Sequence, residues 1–139
     1  MIEFIIGEKG KGKTKVLLEK ANREVKEATG NVVYLDKNTQ HMFELNNRIR
    51  LIDVTNYPLT DADEFIGFIC GIISQDHDLE QMYFDSFLKI AHLEGQDITS
   101  SIKRIQKIGE MFNVSFIISI SLDETEVPEE LRELIAVAL

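Results

Sequence analysis

The sequence predicts an α/β protein, a three-layer α/β/α sandwich whose mainly parallel sheet has five or six strands. Short apolar runs typical of buried strands alternate along the chain with longer segments whose apolar residues recur at helical spacing. This alternation favours a parallel sheet with helices on both faces. The chain has 139 residues, of which 44% are hydrophobic. We therefore expect a single domain, residues 1–139, with a substantial core.

Five apolar segments are predicted to be strands, and a sixth is predicted near the C-terminal end. Each is short and rich in β-branched or aromatic side chains, as is usual for buried strands. The five segments are residues 2–6, 31–35, 48–54, 79–84 and 114–121. Residues 134–139 (LIAVAL) are interpreted as either an edge strand or a docked tail.

Four helices are predicted before a short one that begins at Pro128: residues 13–28, 60–74, 86–93 and 97–112. The helix at 60–74 is apolar nearly all round, so we expect it to be buried on most sides. Gly67 and Gly71 lie one turn apart in it, which favours close packing on the chain's own sheet. A contact within a homo-oligomer is the alternative. Cys70, in the same helix, is predicted to be a buried, unreactive thiol.

Composition and charge exclude several classes of function. The formal net charge is −9, so repulsion from phosphate backbones argues against broad nucleic-acid binding. The single cysteine allows neither an internal disulfide nor a cysteine-based zinc site. The longest apolar run, residues 65–73, is too short to span a bilayer. With no recognisable signal peptide, we expect no membrane insertion and a cytoplasmic location.

A segment rich in glycine and lysine follows the first predicted strand. Residues 7–14 read GEKGKGKT and match the pattern G-x-x-x-x-G-K-[ST] at every fixed position. Glycines allow backbone angles that turn successive N–H groups toward phosphate oxygens, and the start of the next helix adds its positive dipole end. The ammonium group of Lys13 is suited to the β- and γ-phosphates, and the hydroxyl of Thr14 to Mg²⁺.

The residues predicted to bind the nucleotide are Gly7, Glu8, Lys9, Gly10, Lys11, Gly12, Lys13, Thr14 and Lys15. Lysines are concentrated in this segment although the protein as a whole is acidic. Local positive charge of this kind indicates a small anionic ligand rather than a polyanion.

The segment GEKGKGKT resembles the Walker A motif of the P-loop NTPase superfamily. The resemblance covers the chain in architecture and is motif-specific only at residues 7–14. It implies the P-loop NTPase fold, in the branch that is similar to ABC, RecA and AAA proteins, with ATP and Mg²⁺ as ligands. The chain also resembles small bacterial P-loop proteins that are sometimes labelled twitching-motility ATPases. The true motor ATPases are longer and have histidine and arginine elements that are not found in these residues.

In that branch, an acid at the end of an apolar strand holds Mg²⁺, usually through water. Asp36, Asp53 and Asp85 each follow a predicted strand here. Asp85 is favoured with Thr14 as the metal-binding pair, because it precedes the last long helix and strand, as the acid of that branch does. Ser119 and Ser121 in the later strand are similar in placement to the residue that senses the γ-phosphate.

The sequence departs from the resemblance directly after Asp85. Many hydrolases of the branch have a glutamate there as the base for the attacking water, and this chain has Ser86. Glu94 and Glu124 are the available substitutes. The residues predicted to be catalytic are Lys13 and Glu94.

Three functions are compatible with these residues. The first is a Mg-ATP-binding protein with slow or partner-dependent hydrolysis. The second is a non-hydrolysing, nucleotide-responsive interaction module with a protein partner or a second copy of itself. The third, with less support, is a small-molecule phosphotransferase, which would need clamping cations on a lid. ATP is expected rather than GTP because the sequence has no N-K-x-D motif.

Overall fold

A computed structural model describes residues 1–139 and contains one sheet of six strands. The strands are β1 (Ile2–Ile6), β2 (Asn31–Asp36), β3 (Ile49–Asp53), β4 (Leu79–Phe84), β5 (Ser115–Ile120) and β6 (Ile135–Ala138). All of their pairings are parallel, in the order β3-β2-β4-β5-β1-β6. The predicted α/β class and parallel sheet are confirmed, and the segment near the C-terminal end is an edge strand.

The helices are α1 (Lys13–Val25), α2 (Ala62–Ser74), α3 (Phe87–Ile90) and α4 (Thr99–Phe112). Helix α1 ends at Val25, whereas the sequence predicted an end at Ala28. The segment after Pro128 is a 3-10 helix, Glu129–Leu134, rather than an α-helix. None of the helices combines the length and the hydrophobicity needed to cross a membrane.

Right-handed connections explain why helices cover both faces of the sheet. The chain crosses from β1 to β2 in one direction through α1, and moves in the opposite direction through α2, α3 and α4. Right-handed crossovers that move in opposite directions lie on opposite faces. Helix α1 accordingly packs with Tyr34, Tyr83 and Ile117 in one apolar cluster. Helices α2 and α4 pack on the other face, with Phe84 and Phe116.

The alternation of side chains along the strands brings several polar groups to the face that carries α1. Tyr34 and Tyr83 belong to the cluster under α1. Asp36 and Asp85 follow two residues later in the same two segments, so they lie on the same side. By the same rule Ser119 follows Ile117 on β5. These groups therefore lie on the face that carries α1, at the carboxyl edge of the sheet, and Asp85 there contacts Thr14 of α1.

The prediction that α2 is buried on most sides is wrong. Its buried residues are Phe65, Ile66, Ile69 and Ile73. Gly67, Cys70 and Gly71 are exposed, and a Cβ at either glycine would meet no other group within 4 Å. The glycines therefore do not pack closely on the chain's own sheet, and the Cys70 thiol is not buried. Small side chains carry little apolar area, so exposing this side of the helix costs little.

Gly67→Ala is expected to raise the free energy of unfolding by about 0.5–1 kcal/mol, because alanine favours an exposed helix position that has open space. The same substitution at Gly109 in α4 is expected to lower it, since a Cβ there would lie 2.7 Å from the Val114 carbonyl oxygen. Urea unfolding of the two variants measures both effects. If both substitutions changed the free energy of unfolding in the same direction, the packing described for α2 and α4 would be contradicted.

Candidate functional site

The glycine loop, residues 7–12, joins β1 to α1 at the carboxyl edge of the sheet. Gly10 and Gly12 have φ angles of 83° and 95°, a region that residues with a Cβ rarely adopt. A Cβ at either position would meet no atom within 4 Å, so the backbone angle rather than space requires glycine. Gly12 is the N-cap of α1, and no side chain caps this helix.

Most N–H groups of this segment have no acceptor within the protein. Gly7 donates its N–H to the Leu122 carbonyl at 2.9 Å, and Lys11 donates its N–H to the Glu8 carbonyl at 3.3 Å. The N–H groups of residues 8–10 and 12–15 donate to no protein acceptor. Free N–H groups are expected in the first turn of a helix, but here they extend back into the loop. Together with the helix dipole, they make this end of α1 electropositive.

The Lys13 side chain curls back into the glycine loop. Lys13 is 8% exposed, and its Nζ donates to the Glu8 carbonyl at 3.0 Å. Burial lowers the pKa of Lys13, the Asp85 carboxylate opposes this shift, and Lys9 adds to it. The ammonium group therefore has a neutral carbonyl as its hydrogen-bond partner, and an anionic oxygen would be a stronger one.

Two hydroxyl groups donate to the carboxylate of Asp85. Thr14 Oγ1 lies 3.2 Å from Oδ1, and the Tyr34 hydroxyl lies 2.8 Å from Oδ2. Asp85 is 2% exposed, and its own N–H donates to the Leu35 carbonyl of β2. Burial and the charge of Asp85 raise the pKa of Tyr34 far above its usual value, so the phenol keeps its proton.

The other two acids considered for the metal lie on neighbouring strands. Asp36, at the end of β2, is 3% exposed and accepts the N–H of Lys37. Burial, and then the charge of Asp85, raise the pKa of Asp36 to about 6. Asp53 ends the edge strand β3 and accepts hydrogen bonds from Thr55. Neither acid lines the cleft beside the glycine loop, whereas Asp85 does.

This cleft has a volume of about 560 Å³. Its lining contains four lysines, namely Lys9, Lys13, Lys37 and Lys89. It also contains three acids, namely Asp85, Glu94 and Glu126. Ser119, which is buried in β5, and Ser121 line it as well. Leu88 and Leu122 are the two hydrophobic residues of the lining, and most of the other lining residues are charged or carry a hydroxyl group.

The structure brings together some of the predicted site residues and leaves others apart. The predicted residues that line the cleft are Lys9, Gly10, Lys13, Thr14, Asp85 and Glu94. Gly7, Glu8 and Gly12 belong to the loop itself through their backbone groups. Lys11 and Lys15 are exposed and lie outside the lining, as does Glu124.

Three charged residues of the cleft were missed by sequence reasoning: Lys37, Lys89 and Glu126. Lys37 directly follows β2, so the rule that strand ends share one edge could have found it. Lys89 lies in the short helix α3, and Glu126 lies in the segment between β5 and β6. No local pattern marks these two, because only the packing of their segments brings them to the cleft.

Ser86, directly after Asp85, has a φ angle of 55°. A left-handed backbone costs a residue with a Cβ about 1–2 kcal/mol. Such strain is concentrated at functional sites, where the surrounding structure holds it in place. Ser86 also lines the cleft, so this strained turn forms part of its wall.

Thr14 and Asp85 supply the kind of oxygen ligands that Mg²⁺ prefers. No group of three or more His, Cys, Asp or Glu side chains is arranged to hold a metal ion by itself. Mg²⁺ is commonly bound by one or two carboxylates together with phosphates of a substrate, and the Thr14–Asp85 pair fits that donor set. No protein-family model matches the chain, and no curated protein matches it either.

The protein without ligands is expected to lose stability relative to Asp36→Asn as the pH rises from 4 to 7. The pKa of Asp36 is raised to about 6 in the folded protein, so the folded state binds more protons than the unfolded state between about pH 4 and 6. Ionisation of the buried carboxyl above that range costs up to about 3 kcal/mol.

Urea unfolding of both proteins at several pH values measures this difference. The asparagine Oδ1 can still accept the N–H of Lys37, so the variant serves as a control without the titrating group. Parallel stability curves for the two proteins would contradict the assigned environment of Asp36.

Proposed function

We propose that this chain binds Mg-ATP in the cleft beside the glycine loop and hydrolyses it slowly or with the help of a partner. The observation that carries the proposal is the 3.2 Å hydrogen bond between Thr14 and Asp85. These residues lie 71 positions apart in the sequence, yet they meet beside the Lys13 ammonium in one cleft. An oxygen pair suited to Mg²⁺ next to a cationic loop is what a metal–triphosphate requires.

The loop supplies the charge complementarity for the phosphates. The unpaired N–H groups of residues 8–10 and 12–15 offer donors without first breaking other hydrogen bonds. Lys13 would exchange the Glu8 carbonyl for a phosphate oxygen, and a charge-assisted hydrogen bond is the stronger of the two. Lys9, Lys37 and Lys89 add positive charge around the same cleft, which offsets the acidity of the protein as a whole.

Thr14 and Asp85 are the residues that would hold Mg²⁺ at the phosphates. When bound there, the metal neutralises phosphate charge and polarises the γ-phosphoryl group. Thr14 can offer a lone pair of its hydroxyl oxygen while its proton stays on the bond to Asp85. The hydrogen bond between them therefore does not compete with this role.

The strand order supports the resemblance to the ABC-, RecA- and AAA-like branch of P-loop NTPases. β5 lies between β1, which leads into the loop, and β4, which leads into Asp85. Ser119 on β5 is buried and lines the cleft between these two segments. The resemblance implies a polar residue on a later strand that senses the γ-phosphate, and Ser119 is suited to that task.

The arrangement of acids favours slow hydrolysis. Ser86 has no group able to act as a general base at neutral pH. Glu126 lines the cleft, but its carboxylate accepts the N–H of Asp123. Glu94 is exposed at the cleft and forms no hydrogen bond within the protein, so it is the acid best able to accept a proton from water.

The second candidate is a nucleotide-responsive interaction module that does not turn ATP over. Two observations favour it: the residue after Asp85 is Ser86, and one side of α2 is open. This open side presents Gly67, Cys70 and Gly71, with Phe68 partly exposed beside them. This exposed side of α2 is available for the contact within a homo-oligomer that the sequence left as an alternative.

Lys13→Ala is expected to weaken Mg-ATP binding by about 10–100-fold, the loss expected for one charge-assisted hydrogen bond to phosphate. Lys11→Ala removes the same charge from the same loop at an exposed position outside the cleft, and it is expected to change the affinity by no more than about threefold. Titration calorimetry measures both. Equal affinities in the wild type and Lys13→Ala would remove the proposed site.

Glu94→Gln is expected to reduce phosphate release from ATP by at least about tenfold with little change in ATP affinity, because it removes a base and keeps the shape of the side chain. Glu124→Gln is the control, since Glu124 lies outside the cleft lining. Single-turnover phosphate release measures the effect. If the wild type binds ATP but releases no phosphate at any protein concentration, the result would favour the interaction module over the hydrolase.

A further inference from the structure

Tyr34 lies on β2, outside the glycine loop, yet it contacts the carboxylate that faces the loop. The residue is fully buried, and its hydroxyl donates to Asp85 Oδ2 at 2.8 Å. Its ring stacks on Tyr83 of β4, with the ring centroids 6.1 Å apart. The Tyr83 hydroxyl donates to Gln81 Oε1 instead. Two stacked tyrosines therefore differ in whether their hydroxyl reaches Asp85.

The hydroxyls of Thr14 and Tyr34 together hold both oxygens of the Asp85 carboxylate. The terminal torsion of an aspartate is broad, so its carboxylate plane is set by hydrogen-bond partners rather than by a rotamer. With both oxygens bonded, Oδ1 stays beside the Thr14 hydroxyl and Oδ2 stays beside the Tyr34 hydroxyl. Without the Tyr34 hydroxyl, Oδ2 would be a charged oxygen in a buried position that has lost its donor.

The environment of Tyr34 keeps it a donor. A phenol is protonated at neutral pH, and the hydroxyl of the buried Tyr34 lies 2.8 Å from Asp85 Oδ2. A protonated phenol beside a carboxylate can only donate to it. The hydrogen bond therefore has one direction, from β2 to Asp85.

We propose that Tyr34 is a positioning residue that sets the affinity for a divalent metal in the nucleotide complex, by holding Asp85 with Oδ1 beside Thr14. The inference rests on the proposed function, because the metal arrives with the nucleotide. Groups that orient a metal-facing residue typically change metal affinity by about 10–100-fold when they are removed. Strand β2, which supplies no residue to the loop, thus tunes the site.

Tyr34→Phe removes the hydroxyl and keeps the ring that stacks on Tyr83. The matched control is Tyr83→Phe, which removes a hydroxyl from the other ring of the same stack. The probe is Mn²⁺, titrated into each protein at saturating ATP and followed by the electron paramagnetic resonance of the bound ion. ATP affinity in EDTA and the free energy of unfolding are measured for all proteins.

We expect Tyr34→Phe to weaken Mn²⁺ binding by about tenfold or more and Tyr83→Phe to leave it unchanged. ATP affinity in EDTA should be the same for both variants and the wild type. In an Asp85→Asn background, Tyr34→Phe should have no further effect, because its action passes through Asp85. This double-mutant cycle separates positioning from a general effect on packing.

Three other outcomes would contradict either the role of Tyr34 or the proposed function. Equal Mn²⁺ affinity in Tyr34→Phe and the wild type removes the role of Tyr34 and leaves the proposed function intact. An equal loss of ATP affinity with Mn²⁺ and in EDTA assigns Tyr34 a structural role instead. A wild type that binds no ATP removes the proposed function together with this inference.

Discussion

The parallel alignment of β1, β5 and β4 decides where the candidate site of this protein lies. Because these strands run in one direction, their carboxyl ends meet at one edge, and the segments that follow them face each other across the cleft. Thr14 then lies 3.2 Å from Asp85. An antiparallel β4 would place Asp85 at the opposite edge, and no local feature of the glycine loop could compensate for that.

Electrostatics at this edge are balanced by a few specific contacts. Lys13 is partnered by a loop carbonyl, and Asp85 is partnered by two hydroxyls, so neither buried group lacks a hydrogen bond. Ionisation of Asp36 is disfavoured, because burial and the charge of the nearby Asp85 raise its pKa. Removing water strengthens attraction to an opposite charge as well as repulsion between like charges. The left-handed backbone of Ser86 adds a further energetic cost at this edge of the sheet.

The fold was predictable in its regular parts because burial imposes a short-range pattern. The five strands predicted outright have bounds within one residue of those in the structure, since a strand covered on both faces is a nearly continuous apolar run. Residues 134–139 were left as either an edge strand or a docked tail, and the structure has a strand there. Helix α2 was misjudged because its composition is apolar all round, while Gly67, Cys70 and Gly71 contribute too little area to require burial. Composition alone does not reveal which side of such a helix has a neighbour.

The sequence by itself determined the glycine loop, because glycines and a lysine at set spacings form a local pattern. It also limited the acid predicted to hold Mg²⁺ with Thr14 to three candidates at strand ends, namely Asp36, Asp53 and Asp85. Only the tertiary structure shows which of these acids meets Thr14, because the strand order and the two-residue alternation bring Asp85 to Thr14 and leave Asp53 on an outer strand. Tyr34, Lys89 and Glu126 followed from packing alone, since contacts between distant segments leave no periodic trace in a single chain.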